Sequence, residues 1–185
     1  RWVEEDGMHF GAIVRDMTDR KREHEALYRL ANFDALTGLP NHNLVHEYIG
    51  GALAKGQILS LIVTDLGGFR DINNTLGHAA GDQVLQIVTE RLVGAAPDGS
   101  LVARLRGDEF AILLREVGDP IALADAARAI NLALSQPIHV EGQEVRIAGN
   151  CGMAIAPQHG DTTEQLIASA NLALFQARSG GGGGG

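Results

Sequence analysis

Ile58 to Asp65 (Ile-Leu-Ser-Leu-Ile-Val-Thr-Asp) constrains this chain more than any other stretch. It is an apolar run of strand length, stopped by an acid. A run of that kind is covered on both faces, which makes it a central strand and not an edge. It leaves Asp65 at the strand's C-terminal end, where a sheet meets its loops.

The segments on either side supply what such a strand needs. Phe33 to Asn43 holds the turn cluster Thr37-Gly38-Leu39-Pro40-Asn41. A helix is predicted from about His42 to Leu53, ended by Lys55-Gly56. Phe69 to Leu76 reads as a short helix or turn, and Ala79 to Val93 as a longer helix with Val84, Val88 and Leu92 on one face. Leu101 to Leu105 and Phe110 to Arg115 read as a hairpin, with Arg106-Gly107-Asp108-Glu109 at its tip. Ile121 to Leu134 is an Ala-rich helix. Pro137 to Val140 and Val145 to Ile155 read as strands, and a last helix runs to about Arg178. The order predicts an α+β sandwich, with a mostly antiparallel central sheet of about five strands flanked by helices.

The ends differ. Met8 to Val14 reads as a closing strand, and the chain opens at Arg1 inside it, which predicts a fragment of a longer protein. Thr18 caps a helix from about Asp19 to Ala31. Its seam of Ala26, Leu27 and Leu30, continued by Phe33, suits a connector that pairs with its own copy, or a solvated helix on its own domain. Residues 179–185, nearly all glycine, are a tail or placeholder.

Composition closes off several function classes. Hydrophobic residues are 45% and charged residues 21%, which excludes global disorder. Lys+Arg is 15 against 23 Asp+Glu, the wrong balance for a non-specific nucleic-acid binder. Cys151 is the single cysteine, so no internal disulfide forms. No apolar stretch is long enough to span a bilayer. The expectation is a soluble protein in a reducing cytoplasm.

Asp65 at a strand end and Asp108-Glu109 at a hairpin tip place three carboxylates at one sheet edge if the strands are neighbours. Hard oxygen donors at that density suit Mg²⁺ or Mn²⁺, as in polymerase palms acting on nucleoside triphosphates. On spacing alone, an exposed acidic tip is the simpler explanation. His42 and His46, four residues apart, lack a third ligand and read as helix surface.

Further motifs make the pattern specific. Asp34-Ala35-Leu36-Thr37-Gly38-Leu39-Pro40-Asn41 resembles the opening signature of GGDEF domains, the diguanylate cyclases of bacterial cyclic di-GMP signalling. The likeness continues through Asp65-Leu66, Phe69, Ile72-Asn73, Gly77-His78, Gly81-Asp82 and the variant signature Arg106-Gly107-Asp108-Glu109-Phe110. It covers residues 33–178, and the family has a polymerase-palm or ferredoxin-like sandwich fold. Residues 1–16 resemble the end of a PAS sensor domain, with 17–32 as connector. PAS followed by GGDEF is a common order, often with an EAL phosphodiesterase domain downstream.

The resemblance implies one GTP per domain and attack of each 3′-hydroxyl on the other GTP's α-phosphate across a homodimer. Asp65, Asp108 and Glu109 would hold metal with the Leu66 carbonyl, and Asp108 and Glu109 would be catalytic. Asn73 and Asp82 would read guanine. Arg70, Arg178 and Gly107 would contact the phosphates.

The departures from the family pattern point the other way. Arg106 stands for a glycine, and a left-handed backbone there would cost about 1–2 kcal/mol. Gly67 and Asn74 each stand for an aspartate, His42 for an arginine, and Asn171 for an aspartate. The product-inhibition motif would fall on Pro97-Asp98-Gly99-Ser100 and is missing. Two readings stay open: a degenerate GTP-binding module with weak or no chemistry, toward which the departures lean, and an active cyclase.

Overall fold

The computed structural model describes residues 18–180. The strand expected at Met8–Val14, the PAS-like stretch 1–16 and the glycines after 180 lie outside the described residues. Helix α1 (Thr18–Asn32) falls in a separate unit that ends at Ala31. It is a 15-residue helix with Arg29 in its last turn.

The second unit is built on strand β1 (Leu59–Gly67). Its eight residues from Leu59 to Leu66 are all buried, as the apolar run requires. Strands β2 (Leu101–Arg106) and β3 (Glu109–Arg115) form the expected hairpin. Strands β4 (Ile138–Val140) and β5 (Gln143–Val145) pair with each other. Strand β6 (Ala148–Ala156) lies on the other side of β1. The sheet order is β2-β3-β1-β6, and every pairing is antiparallel. The single strand expected from Val145 to Ile155 is thus divided, and the central sheet has four strands among the described residues. The division seats Ile147, which is buried in the core between the two pieces.

Five helices cover the sheet: α2 (His42–Ala54), α3 (Phe69–Leu76), α4 (His78–Ala95), α5 (Pro120–Leu134) and α6 (Thr163–Gly180). Their starts follow local chemistry. The Asn41 side chain accepts from the amides of Asn43 and Leu44, and Asp119 caps α5 with Pro120 following it. The strand period of two then sorts β1 onto two cores. Ile62 and Leu66 join Val84, Val88 and Ile130 beneath α3, α4 and α5. Leu59, Leu61 and Val63 join Val45, Ile49, Leu166 and Ala170 beneath α2 and α6. The second core is lined by small residues, including Ala103, Ala111, Ala154 and Ala156. Helix α6 lies so close to β6 that a Cβ on Gly152 would run into the Ala170 carbonyl and the Leu174 amide.

Candidate functional site

Asp65 continues the odd-numbered row of β1, so its carboxylate faces α2 and α6 with Leu61 and Val63. The register sets Glu109 directly opposite it on β3 and Asn150 directly opposite on β6. Glu109 continues the row of Ala111 and Leu113 and faces the same way. Two carboxylates therefore meet across neighbouring strands, an arrangement that repels unless a cation sits beside it.

That cation is Arg178, from the last turn of α6. Its Nη2 lies 2.7 Å from Asp65 Oδ2 and 3.8 Å from Glu109 Oε1. Asp65 is 8% exposed, and its second oxygen, Oδ1, is buried with no hydrogen-bond partner. An ionised oxygen without a partner in a dry site is costly, and its natural complement is a cation.

The hairpin tip is tighter than the sequence suggested. Strands β2 and β3 run to Arg106 and Glu109, leaving Gly107-Asp108 as a two-residue turn with a bulge between Arg104 and Arg106. The left-handed backbone falls on Gly107, with φ 49°, which glycine adopts freely. Arg106 is not among the non-glycine residues of positive φ, which are Glu116 and Glu141. The strain expected at Arg106 is therefore absent. Its side chain is 81% exposed, and Nε donates to Glu109 Oε2 at 2.8 Å. This hydrogen bond, and then the carboxylate's charge, raise the Arg106 pKa further above its ordinary value.

One anchoring pair escaped the sequence reading. Arg104 Nη1 donates to both oxygens of Asp34 at 2.8 and 3.0 Å, while its Nε and Nη2 donate to the Gly107 carbonyl at 3.0 and 2.8 Å. Asp34 also accepts from the Thr37 amide and hydroxyl. Arg104 thereby ties the Asp34–Asn41 loop to the turn that carries Asp108. Its signal was its place one alternation before Arg106, pairing with a motif 70 residues upstream.

The remaining expected site residues lie around this end of β1. Helix α3 starts two residues after β1, with Gly68 between them at φ 86° and Arg70 exposed in its first turn. Asn73 of α3 lies against α4: a Cβ on Gly81 would overlap Asn73 Oδ1. Asp82 follows Gly81 and is exposed. The Leu66 side chain is in the core, so only its carbonyl is on offer. Asp108 is half-buried in the turn. Asp65, Glu109 and Arg178 are thus brought together. Among the described residues no three His, Cys, Asp or Glu side chains gather closely enough to hold a metal ion unaided. One or two carboxylates completed by substrate phosphates is the usual way Mg²⁺ is bound, and Asp65 with Glu109 fits it.

The matching family model, "Diguanylate cyclase, GGDEF domain", covers residues 31–183. The chain belongs to the GGDEF family. It is 36% identical over 175 residues to an uncharacterized signaling protein of Caulobacter vibrioides, covering 92% of this chain and 22% of that protein. It is 33% identical over 160 residues to the cyclic di-GMP phosphodiesterase NbdA of Pseudomonas aeruginosa, covering 84% of this chain and 20% of that one. The chain thus spans about a fifth of the length of these relatives. The crystal structure of a sensory box/GGDEF family protein from Caulobacter crescentus superposes with a TM-score of 0.75 at 35% identity, covering 80% of this chain and 99% of that one.

Two further features bear on this GGDEF domain. Positions 97–100 form a turn in which the Ser100 amide donates to the Pro97 carbonyl at 3.1 Å. They offer neither the arginine nor the aspartate of the inhibitory motif in the expected places. Among the described residues no helix is long and apolar enough to cross a membrane.

Proposed function

We propose that this domain binds GTP with Mg²⁺ or Mn²⁺ at the end of β1 and serves as a regulatory GGDEF module with weak or no cyclase activity. The observation that carries the reading is the partnerless, buried Asp65 Oδ1 beside Glu109, with Arg178 the one cation paired with Asp65 among the described residues. The metal would neutralise the two carboxylates and the triphosphate together. Arg178 then becomes free to meet phosphate oxygens, with Arg70 at the start of α3 as a second cation. The Leu66 carbonyl and Asp108 complete the oxygen set. Asn73, held by its fit against Gly81, and Asp82 present an amide and a carboxylate to the guanine edge. The carboxylate matches the N1–H and N2–H₂ donors of guanine, which adenine lacks.

Weak chemistry follows from Glu109. Its Oε2 is held by Arg106, and Gly67 provides no further acid at the end of β1. The second reading, an active cyclase, is favoured by the relaxed backbone at Arg106 and the left-handed Gly107. In that reading two domains face each other in a homodimer. Each 3′-hydroxyl loses its proton and attacks the partner GTP's α-phosphate, giving cyclic di-GMP and two pyrophosphates. An upstream PAS domain and a downstream EAL domain are the proposed neighbours in the full protein.

Calorimetry with GTP and Mg²⁺, paired with chromatography of the reaction mixture, tests both. Metal-dependent GTP binding with little or no cyclic di-GMP supports the module, and rapid product formation replaces it with the cyclase. Asp65→Asn should abolish metal-dependent binding. Retained binding in that variant would remove Asp65 from the site.

A further inference from the structure

A cavity of about 370 Å³ lies between α2, the β2–β3 hairpin and α6. It adjoins the proposed GTP site at Glu109, which lines it, while Asp65, Asn73, Asp82 and Arg178 do not. Its volume is within the range of small-molecule sites, roughly 300–1,000 Å³. Leu105 and Ile167, both half-buried, form its walls, over a dry floor of Leu61, Val63 and Ala111. The cavity reaches down to the sheet because β3 presents alanine here, where the opposite face of the same strand carries Phe110 and Ile112.

The mouth is polar and rich in donors. His42, His46, Arg106 and Asn171 surround it, all exposed. The two imidazoles stand edge to face, with ring centres 5.7 Å apart and planes at 76°. Arg106 uses Nε on Glu109, and among the described residues its two Nη groups donate to nothing. Glu109 is the single carboxylate lining the cavity, and Arg106 already neutralises it. Three of these four mouth residues (His42, Arg106 and Asn171) are among the five departures noted from the family pattern, with Gly67 and Asn74 lying elsewhere. Departures that are 64 and 65 residues apart in sequence, 42 to 106 and 106 to 171, converge on one opening.

We infer that this cavity binds a small, flat organic anion: an aromatic carboxylate whose ring lies between Leu105 and Ile167 and whose charge meets the Arg106 guanidinium, His42 and Asn171. Apolar walls supply area, and the donors at the mouth fix orientation. A metal ion is the wrong occupant, because His42 and His46 have no third ligand among the described residues. An anion on the Nη groups draws Arg106 toward the mouth and loosens its hold on Glu109, so occupancy reaches the hairpin.

The experiment uses no nucleotide, so its outcome is independent of the GTP reading. Backbone amide NMR spectra are recorded while 2-naphthoate is added, and again with the neutral 2-naphthalenemethanol. The expected result is saturable shifts in α2, the hairpin and α6 with 2-naphthoate, and binding weaker by about tenfold for the alcohol, the loss of a charge-assisted contact. Arg106→Gln should weaken 2-naphthoate by a similar factor without affecting the alcohol, and His42→Ala by less. Both side chains are exposed, so both variants should fold. No saturation, shifts outside these elements, equal affinity for acid and alcohol, or an Arg106→Gln variant that binds as before would each overturn the assignment.

Discussion

The two faces of the central sheet are packed differently. Under α3, α4 and α5 the sheet presents Ile62, Leu66, Phe110, Ile112 and Ile155, a full-sized aliphatic core with one aromatic. Under α2 and α6 it presents alanines and Gly152 among a few larger side chains, with a cavity and the Asp65–Glu109 pair at one end. One face is filled, and the other leaves room for ions and ligands. The first face is packed with larger side chains than the second, so equal deletions should cost more on one than on the other.

The largest contrast is expected from equal deletions on the two faces. Leu134→Ala, beneath α5 and fully buried, should cost about 4 kcal/mol in urea unfolding, while Leu61→Ala, beside the cavity, should cost nearer about 2 kcal/mol, both within the range for buried leucines. Equal costs would break the comparison. Arg104→Ala leaves Asp34 half-buried without its guanidinium, and should destabilise by about 3 kcal/mol. The same variant should broaden the amide signals of Gly107 and Asp108, which a purely global loss would not single out.

Asp82→Ala sharpens the comparison from the helix side. It should weaken GTP by about 1.5–3 kcal/mol in calorimetry while leaving unfolding unchanged, because the side chain is exposed. The smallest effect concerns Cys151. Burial is the chief reason its thiol pKa lies above the ordinary value, despite the hydrogen bond to Asn131 that opposes the shift. A raised pKa keeps the thiol neutral, so alkylation of the folded chain should lag that of the urea-unfolded chain up to at least the ordinary thiol pKa of about 8.5. Equal rates would show that β6 opens readily beside Asn150.

The sequence disclosed the elements better than the contacts between them. Helix α3 was read at its observed limits, Phe69–Leu76, and α2 was read from its true start, because Asn41 and the Gly-bounded stretch around α3 carry their signals locally. The break between β5 and β6 was not legible. Arg146 and Ile147 continue an extended pattern, and only the seating of Ile147 in the core divides it. Asp65 and Glu109 were legible as candidates, and the register that sets them opposite confirms their proximity. Arg178 on Asp65 was not, because 113 positions separate them and the helix face that α6 turns inward depends on Gly152. The strain expected at Arg106 was a reading of the residue without its neighbour: the two-residue turn puts the unusual φ on Gly107.

Helix α6 rests its backbone on Gly152. A single methyl group there acts as a wedge beneath Ala170, and a helix is stiff enough to carry that displacement to its end. Arg178 lies eight residues farther on, about 12 Å along the axis at 1.5 Å per residue. Gly152 is therefore the fulcrum of a lever whose tip is the guanidinium on Asp65. Gly152→Ala should shift the charge balance of the acidic row without touching any of its members.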